Sequence, residues 1–192
     1  SSLRRLDLSQ CGLGVLPDVG VFGHLSELRV LNLEFNKLKR LPKSAFHGLG
    51  KLKVLWLTGN HYQPDEGDYK QMKALGNRLL ALDPEQFRNL GNLQVLLLHH
   101  NRLKSLPARV FDDLSRLKVL KLLDNRFDPP LTRSHSVFQK LLAGPSAVLN
   151  QLDIDEDTGD DLEDFWEETG VYLSDNFDPY RPRRTSENNA DL

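Results

Sequence analysis

Two adjacent histidines are the residues of this chain whose type first suggests metal chemistry. His99 and His100 follow one another directly in the sequence. In an extended strand, neighbouring side chains point to opposite faces, so the two imidazoles are not expected to share one ligand site. A zinc site also needs further Cys, His or carboxylate ligands at a set spacing, and none accompanies this pair. The pattern therefore predicts no bound metal here.

An acidic run at residues 153–164, DIDEDTGDDLED, is similar to a calcium-binding loop in its first half. Asp153, Asp155 and Asp157 stand where such a loop places its first three acidic ligands. The similarity then fails, because Gly159 comes one place too late for the sharp turn, and Asp164 stands where the loop needs a bidentate glutamate. We expect no calcium site in this run.

Catalytic constellations are missing from the sequence. Cys11 is the single cysteine, with no histidine arranged to activate it, and the sequence has neither a glycine-rich phosphate loop nor a nucleophile motif. We therefore expect a protein that is not an enzyme and that needs no cofactor.

Charge is divided unevenly along the chain. Residues 1–150 carry 22 Lys and Arg against 13 Asp and Glu, whereas residues 151–192 carry 3 against 14. The basic residues of the first part mostly take edge positions and lack interleaved aromatics, so solvated edges are a better interpretation than nucleic-acid binding.

Two features of the composition bear on location. No apolar run approaches the roughly 18 residues of a membrane-spanning helix. The single cysteine and the absence of Asn-x-Ser/Thr sequons favour an intracellular location. The alternative is an extracellular or organellar fragment that lacks its terminal caps.

Five segments of the chain share one pattern of leucines. They read LRRLDLSQCGL, LRVLNLEFNKL, LKVLWLTGN, LQVLLLHHNRL and LKVLKLLDNRF. This pattern is L-x-x-L-x-L-x-x-N/C-x-L, and a second half, L-x-x-x-x-F-x-x-L, follows it in variant forms. Over residues 3–131 the chain therefore resembles the leucine-rich-repeat family, in its typical subclass of about 24 residues per unit. The resemblance implies a right-handed α/β solenoid, a horseshoe of five coils with a parallel concave sheet.

The spacing explains how such coils are stabilised. In each L-x-L the two leucines face one side of a short strand, so stacked units bury them as a continuous core. A phenylalanine recurs once per unit and should fill the convex side of that core. An asparagine at each strand exit should bond the turns of neighbouring coils, and Cys11 takes that position in the first unit, where we expect a buried thiol. The recurrent residues are Phe22, Phe46, Phe87 and Phe111, and Asn36, Asn60, Asn101 and Asn125.

One unit is interrupted. Gly-Asn occurs at Gly59-Asn60 and again at Gly76-Asn77, and the expected leucines resume after the second. Residues 61–77 are therefore predicted to be an insertion at the exit of the third strand. Either Asn60 or Asn77 can take the recurrent asparagine position that bonds the turns of neighbouring coils. The insertion either shapes a binding surface, with Tyr69 and Met72 as contacts, or is a tolerated surface loop, since long loops add little closure entropy.

The residues between the repeated leucines should face the concave side. Trp56 and Leu97 are expected to touch there, because neighbouring strands lie about 4.8 Å apart. Large apolar groups on an outward face mark recognition surfaces, and tryptophan is enriched at binding hot spots. The alternative is that another part of the same chain covers them. The predicted partner-binding residues are Phe35, Trp56, Leu97, His99, Lys121 and Leu123.

The chain leaves the repeat frame after residue 131. Apolar residues at helical spacing predict a helical C-terminal cap over 132–152, since an open solenoid end exposes its core. An acidic tail over 153–192 follows, and its aromatic residues make Phe165 and Trp166 possible secondary contacts. At the other end, Leu3, Leu6 and Leu8 should form a raw edge that a further chain segment or a partner covers.

These features predict a protein-interaction module that binds a protein partner through the concave face. Two alternatives stay open at this point: a structural subunit of a larger assembly, and a leucine-rich-repeat domain regulated by its own acidic tail.

Overall fold

The computed structural model describes residues 2–18, 20–59, 78–131 and 136–138, and the backbone of residues 152–153. The chain divides into two compact units, residues 1–157 and 158–192. The expected insertion at 61–77, most of the expected cap and almost all of the acidic tail lie outside the described residues.

Six short strands form one parallel sheet in chain order. Equivalent residues of successive repeats pair directly, as Val30 does with Val54 and Val95 with Val119. The first five strands delimit about four turns of a parallel solenoid, so the expected solenoid is present with about four turns and not with the five coils expected from the repeats. The strands are β1 (Arg5–Asp7), β2 (Val30–Asn32), β3 (Val54–Trp56), β4 (Val95–Leu97), β5 (Val119–Lys121) and β6 (Leu152–Asp153).

Leucines fill one face of this sheet. The central leucines of β2 to β5 have no exposed surface and belong to a single hydrophobic cluster with the leucines that precede and follow each strand. This arrangement follows from the period of two along a strand, which sends alternate side chains to the same side. The central leucines are Leu31, Leu55, Leu96 and Leu120.

Phenylalanines form a stack on the far side of the leucine core. The rings of Phe46 and Phe87 lie 6.3 Å apart at an interplanar angle of 13°, and those of Phe87 and Phe111 lie 6.2 Å apart at the same angle. Phe22 is buried in the same cluster. The predicted phenylalanine column is therefore confirmed.

Asparagines connect neighbouring coils at the strand exits. Asn36 accepts a hydrogen bond from the amide of Leu13 at 3.0 Å and donates one to the carbonyl of Leu8 at 2.8 Å. Asn125 makes the equivalent pair of bonds with the amide of Leu103 and the carbonyl of Leu98. These amides satisfy turn backbones that would otherwise be buried without partners.

The interrupted repeat keeps its place in the solenoid. Gly59 donates a backbone hydrogen bond to His99 at 3.0 Å, and Arg78 donates one to Leu38 at 2.7 Å. Residues on both sides of the insertion therefore keep their coil-to-coil partners, and β3 pairs directly with β4.

Residues after the last repeat extend both layers of the solenoid. A short 3-10 helix over Ser136–Phe138 buries Val137 and Phe138, and the Phe138 ring continues the stack 6.4 Å from Phe111. The cap was expected to be helical as far as residue 152, but Leu152 and Asp153 form β6, parallel to β5. The physical reason is that the open edge of β5 carries backbone groups that a further strand can satisfy.

The first coil is the least buried part of the solenoid. Leu3 is 40% exposed, while Leu6 and Leu8 are only partly buried against the core. Cys11 is exposed, so the expectation of a buried thiol was wrong. The asparagines of later coils are shielded by the coil before them, and no described residue of an earlier coil shields Cys11.

Candidate functional site

The sheet face opposite the leucine core is the candidate site, and we call it the valine face. It consists of the outer residues of the strands β2 to β5, because each strand places its first and third residues on one side and its central leucine on the other. None of the apolar side chains on the valine face belongs to the leucine cluster. Its residues are Val30, Asn32, Val54, Trp56, Val95, Leu97, Val119 and Lys121.

Trp56 lies near the centre of the valine face. It pairs in register with Leu97 on β4 on one side and with Asn32 on β2 on the other. The expected neighbourhood of Trp56 and Leu97 is therefore present, with the indole directed away from the leucine core.

The valine face is buried, although the sequence suggested an open surface. Trp56 is 2% exposed, Lys121 4% and Leu97 6%. These three side chains are therefore as buried as those of the leucine core. Asp7 on β1 is exposed, so this burial ends at the first coil.

Polar side chains continue the valine face at the strand exits of β2 and β3. Glu34 and Thr58 are both buried, and Asn32 accepts a hydrogen bond from the amide of Glu34 at 2.9 Å. Burial raises the pKa of Glu34 to about 7, a hydrogen bond with the Thr58 side chain opposes this rise, and the charge of Asp7 adds to it. The Glu34 carboxyl is therefore close to half protonated at neutral pH.

His99 and Lys121 supply the polar chemistry at the other end of the face. Burial lowers the pKa of His99 to about 3, and the positive charges of His100 and Lys121 act in the same direction. His99 is consequently neutral at physiological pH and can both donate and accept a hydrogen bond. A neutral imidazole and a buried lysine thus flank the apolar centre.

The turn after each strand holds one residue in a left-handed backbone conformation. Phe35, His100 and Asp124 hold equivalent positions with φ of 53°, 56° and 51°, the left-handed region. Phe35 therefore lies in this turn column and not among the residues around Trp56. Leu123 is half-exposed at the exit of β5.

The two histidine rings lie closer together than strand geometry suggested. Their centroids are 4.8 Å apart, because the left-handed backbone of His100 breaks the alternation of side chains. The expectation that they point to opposite faces was wrong. His100 instead contacts Asp124, with Nδ1 2.8 Å from Oδ2. Among the residues that the structure describes, no three His, Cys, Asp or Glu side chains group as a metal site.

Sequence reasoning missed the polar part of the site. Asn32, Glu34 and Thr58 share columns with Trp56 and His99, so the repeat alignment contained the signal that would have identified them. The expected secondary contacts Tyr69, Met72, Phe165 and Trp166 lie outside the described residues and stay predictions.

Comparisons with known proteins were made for the whole chain. Podocan of Mus musculus is 31% identical over 116 residues, which cover 57% of this chain and 18% of podocan. Toll-like receptor 3 of Boselaphus tragocamelus is 30% identical over 150 residues, covering 78% of this chain and 16% of the receptor. Fibromodulin of Sus scrofa is 32% identical over 89 residues, covering 44% of this chain and 59% of the fibromodulin. The chain thus spans less than a fifth of podocan and of the receptor.

Among solved structures, a leucine-rich-repeat protein of Leptospira interrogans is similar with a TM-score of 0.38 and 32% identity. The similarity covers 68% of this chain and 33% of that one.

The relatives bear on location and on enzymatic activity. They are largely extracellular or secreted, so the expected intracellular location has no support. Podocan, fibromodulin and the Toll-like receptors are non-enzymatic binding or receptor proteins. In the described part of the chain, no helix has the length and apolar character to cross a membrane.

Leucine-rich-repeat relatives are generally protein-interaction modules. A family model described as leucine rich repeat matches residues 1–61 and 76–127, more than half of the sequence, and this chain belongs to that family.

Proposed function

We propose that this protein is a protein-interaction module, not an enzyme, and that it binds a protein partner through the valine face. Trp56 and Leu97 form the apolar centre of the contact, and His99 and Lys121 flank it. Leu123 and Phe35 lie at its border.

The observation that carries this proposal is the mixed chemistry of a buried surface. A permanent core consists of apolar groups and satisfied polar groups, because each buried polar atom without a partner costs about 1–3 kcal/mol. On and beside the valine face, Asn32 Nδ2 and His99 Nδ1 have no hydrogen-bond partner among the described residues. An apolar centre surrounded by polar atoms without hydrogen-bond partners is typical of an interface that binds and releases a partner.

Burial of the valine face sets a condition on binding. A partner that uses Trp56 must compete with whatever keeps the face buried in the free chain. The apparent affinity is then the intrinsic affinity multiplied by the fraction of molecules in which the face is open. Variants that open the face should therefore bind more tightly without any new contact.

Affinity capture from an extract of the native cells, followed by quantitative mass spectrometry, tests the proposal. The bait is the full chain, as wild type and with Trp56→Ala and Leu97→Ala together. Leu114→Ala is the matched control, because Leu114 is buried in the leucine core and its truncation destabilises the fold without touching the valine face. A protein retained by wild type and control but lost with the double variant supports the site, and equal retention by all three contradicts it.

A second candidate function is regulated binding, in which residues 153–192 control access to the valine face. Two observations favour it: the face is buried with no partner chain present, and the acidic end of the sequence opposes a basic first part. The test uses the full chain with Trp166→Phe, so that Trp56 is the single tryptophan.

Neutralising Asp160, Asp161, Glu163 and Asp164 together should then increase acrylamide quenching of Trp56. The control neutralises Glu187 and Asp191 at the end of the same segment. Unchanged quenching in the fourfold variant would dismiss the regulated function and leave the binding proposal standing.

A further inference from the structure

The last strand of the sheet repeats the leucine pattern of the strands before it. Residues 149–154 read LNQLDI, which matches the LKVLKL of residues 117–122 with isoleucine in the last position. Leu152 follows Leu120 by 32 residues, whereas Leu55 follows Leu31 by 24, so β6 falls outside the repeat frame of the earlier strands. It still pairs in their register, because its leucine is aligned with the central leucine of β5.

This register places an acidic residue at the end of the valine face. Asp153 pairs with Lys121, the third residue of β5. Lys121 pairs with Leu97, and Leu97 pairs with Trp56, so one row of paired positions runs across the sheet from the apolar centre to Asp153. Paired positions on neighbouring strands are about 4.8 Å apart. The row therefore ends with a basic and an acidic residue on adjacent strands.

Lys121 lies where a cation needs compensation. Its side chain is 4% exposed, and its positive charge contributes to the lowered pKa of His99. A buried ammonium group has lost much of its hydration, so it is stable only with an opposite charge or hydrogen-bond acceptors close to it.

Asp153 holds the position that suits this requirement. Asp7 and Glu34, the other carboxylates on this side of the strands that the structure describes, belong to the first two coils. They are at least three strand spacings from β5, roughly 14 Å. Asp124 follows β5, but its Oδ2 lies 2.8 Å from Nδ1 of His100 in the adjacent turn.

We propose that Lys121 and Asp153 form an electrostatic clasp that holds β6, and with it the start of the acidic segment, against β5. Opposite charges at paired positions of neighbouring strands stabilise the pairing, and burial strengthens the attraction because it lowers the local dielectric constant. The acidic partner of this clasp belongs to the same chain, since the pairing of β6 already brings it beside Lys121.

The clasp and the leucine pattern select the same register. A slip of β6 by one residue would turn Asp153 toward the leucine core. A slip by two residues would bring Asp155 opposite Lys121, but it would also place Glu156 at the core position that pairs with Leu122. Only the observed register combines an acidic residue beside Lys121 with apolar residues at both core positions.

The clasp is a device that opens or closes the last edge of the sheet. Loss of either charge weakens the pairing of β6, so the backbone groups at the edge of β5 become open to water. This inference does not rest on the proposed function, because it concerns the closure of the sheet and needs no binding partner.

Hydrogen exchange of the full chain, followed by mass spectrometry, tests the clasp. Asp153→Asn removes one charge with little change of shape, and Lys121→Met removes the other. Each should accelerate exchange of the amides in residues 149–154 by at least about tenfold, because the remaining charge is left without its partner. The double variant should exchange no more than about twofold faster than the faster single variant, because the pair is already broken.

Two controls are internal to the chain. Glu156→Gln removes one negative charge from the same acidic run, outside the proposed pair, and should leave exchange in residues 149–154 unchanged. The amides of Val30–Asn32 in β2 report on the rest of the solenoid and should exchange at the wild-type rate in every variant.

Four results would overturn the inference. One is wild-type exchange at residues 149–154 in both single variants. Another is equal acceleration by Asp153→Asn and Glu156→Gln. The third is a double variant whose acceleration equals the product of the two single effects. The last is equal acceleration in β2 and β6, which would indicate a general loss of stability and not a clasp local to β6.

Discussion

The Asn101 side chain accepts a hydrogen bond from the backbone amide of Leu79 at 3.1 Å. Leu79 follows the insertion, and the same asparagine donates to Leu57, which precedes it, at 2.9 Å. One amide group thus joins the two ends of the interrupted repeat and fixes where the frame resumes. It also donates to Leu98 and His99 of its own coil.

Asn101→Ala should lower the free energy of unfolding by about 2–4 kcal/mol, because it leaves several buried backbone groups without partners. Urea unfolding followed by circular dichroism measures this. Asn92→Ala, which removes two exposed hydrogen bonds, one to Gly50 and one from Arg116, should cost about 1 kcal/mol or less. Similar losses for the two variants would contradict a joining role for Asn101.

Trp56→Ala should destabilise the protein as well as weaken binding, since the indole is 2% exposed. Truncation of a buried tryptophan costs about 3–5 kcal/mol, which a thermal melt detects easily. Val15→Ala provides the comparison, because Val15 is 64% exposed and should leave the melt unchanged. A Trp56→Ala protein that melts like wild type would mean that the valine face is open in solution.

Glu34 should make stability fall as the pH rises. Its folded-state pKa, about 7, lies above the ordinary value of 4.5, so its contribution is fully present below pH 4.5 and is lost as the pH rises through 7. The loss amounts to about 3 kcal/mol. Urea unfolding at pH 4.5 and pH 8 should show this difference in wild type and a smaller one in Glu34→Gln. Identical pH profiles would refute it.

His99 should make the stability of the protein fall as the pH falls, opposite to the effect of Glu34. Its folded-state pKa, about 3, lies below the ordinary value of 6.5, so its contribution is present above pH 6.5 and is lost as the pH falls toward 3. His99→Gln should therefore lose less stability than wild type between pH 6.5 and pH 4. An equal loss in both proteins would show that the imidazole is not buried in its neutral form.

Cys11 should react with a thiol reagent in the folded protein, because its side chain is exposed. Without denaturant, the absorbance change with a disulfide reagent should reach the amplitude seen in urea, at a similar rate. Reaction that requires urea would indicate that another part of the chain or a second molecule covers the first coil.

The leucine, phenylalanine and asparagine columns were predictable because each residue type answers to one local requirement. Leu55 must face the core, and Phe87 must fill the far side of that core. Asn101 must satisfy the backbone groups of the turns. The same requirements recur along the repeats. The pairing register of the strands was predictable for the same reason, because the repeats align equivalent residues.

The burial of the valine face was not predictable in this way. An outward strand position such as that of Trp56 looks the same in sequence whether or not the face is covered. The turn geometry of Phe35 and His100 was equally hidden, since closure of the coil and not local preference places them at positive φ. β6 lies beyond the repeat frame, and its pairing depends on the open edge of β5.

Uniform register also has a consequence for how such a gene changes length. Val30 and Val54 are 24 residues apart, as are Val95 and Val119, and each pair is aligned in the sheet. Duplication or loss of a segment of that length gives every backbone group a partner of the same kind as before. Unequal recombination can therefore lengthen or shorten the array in whole units.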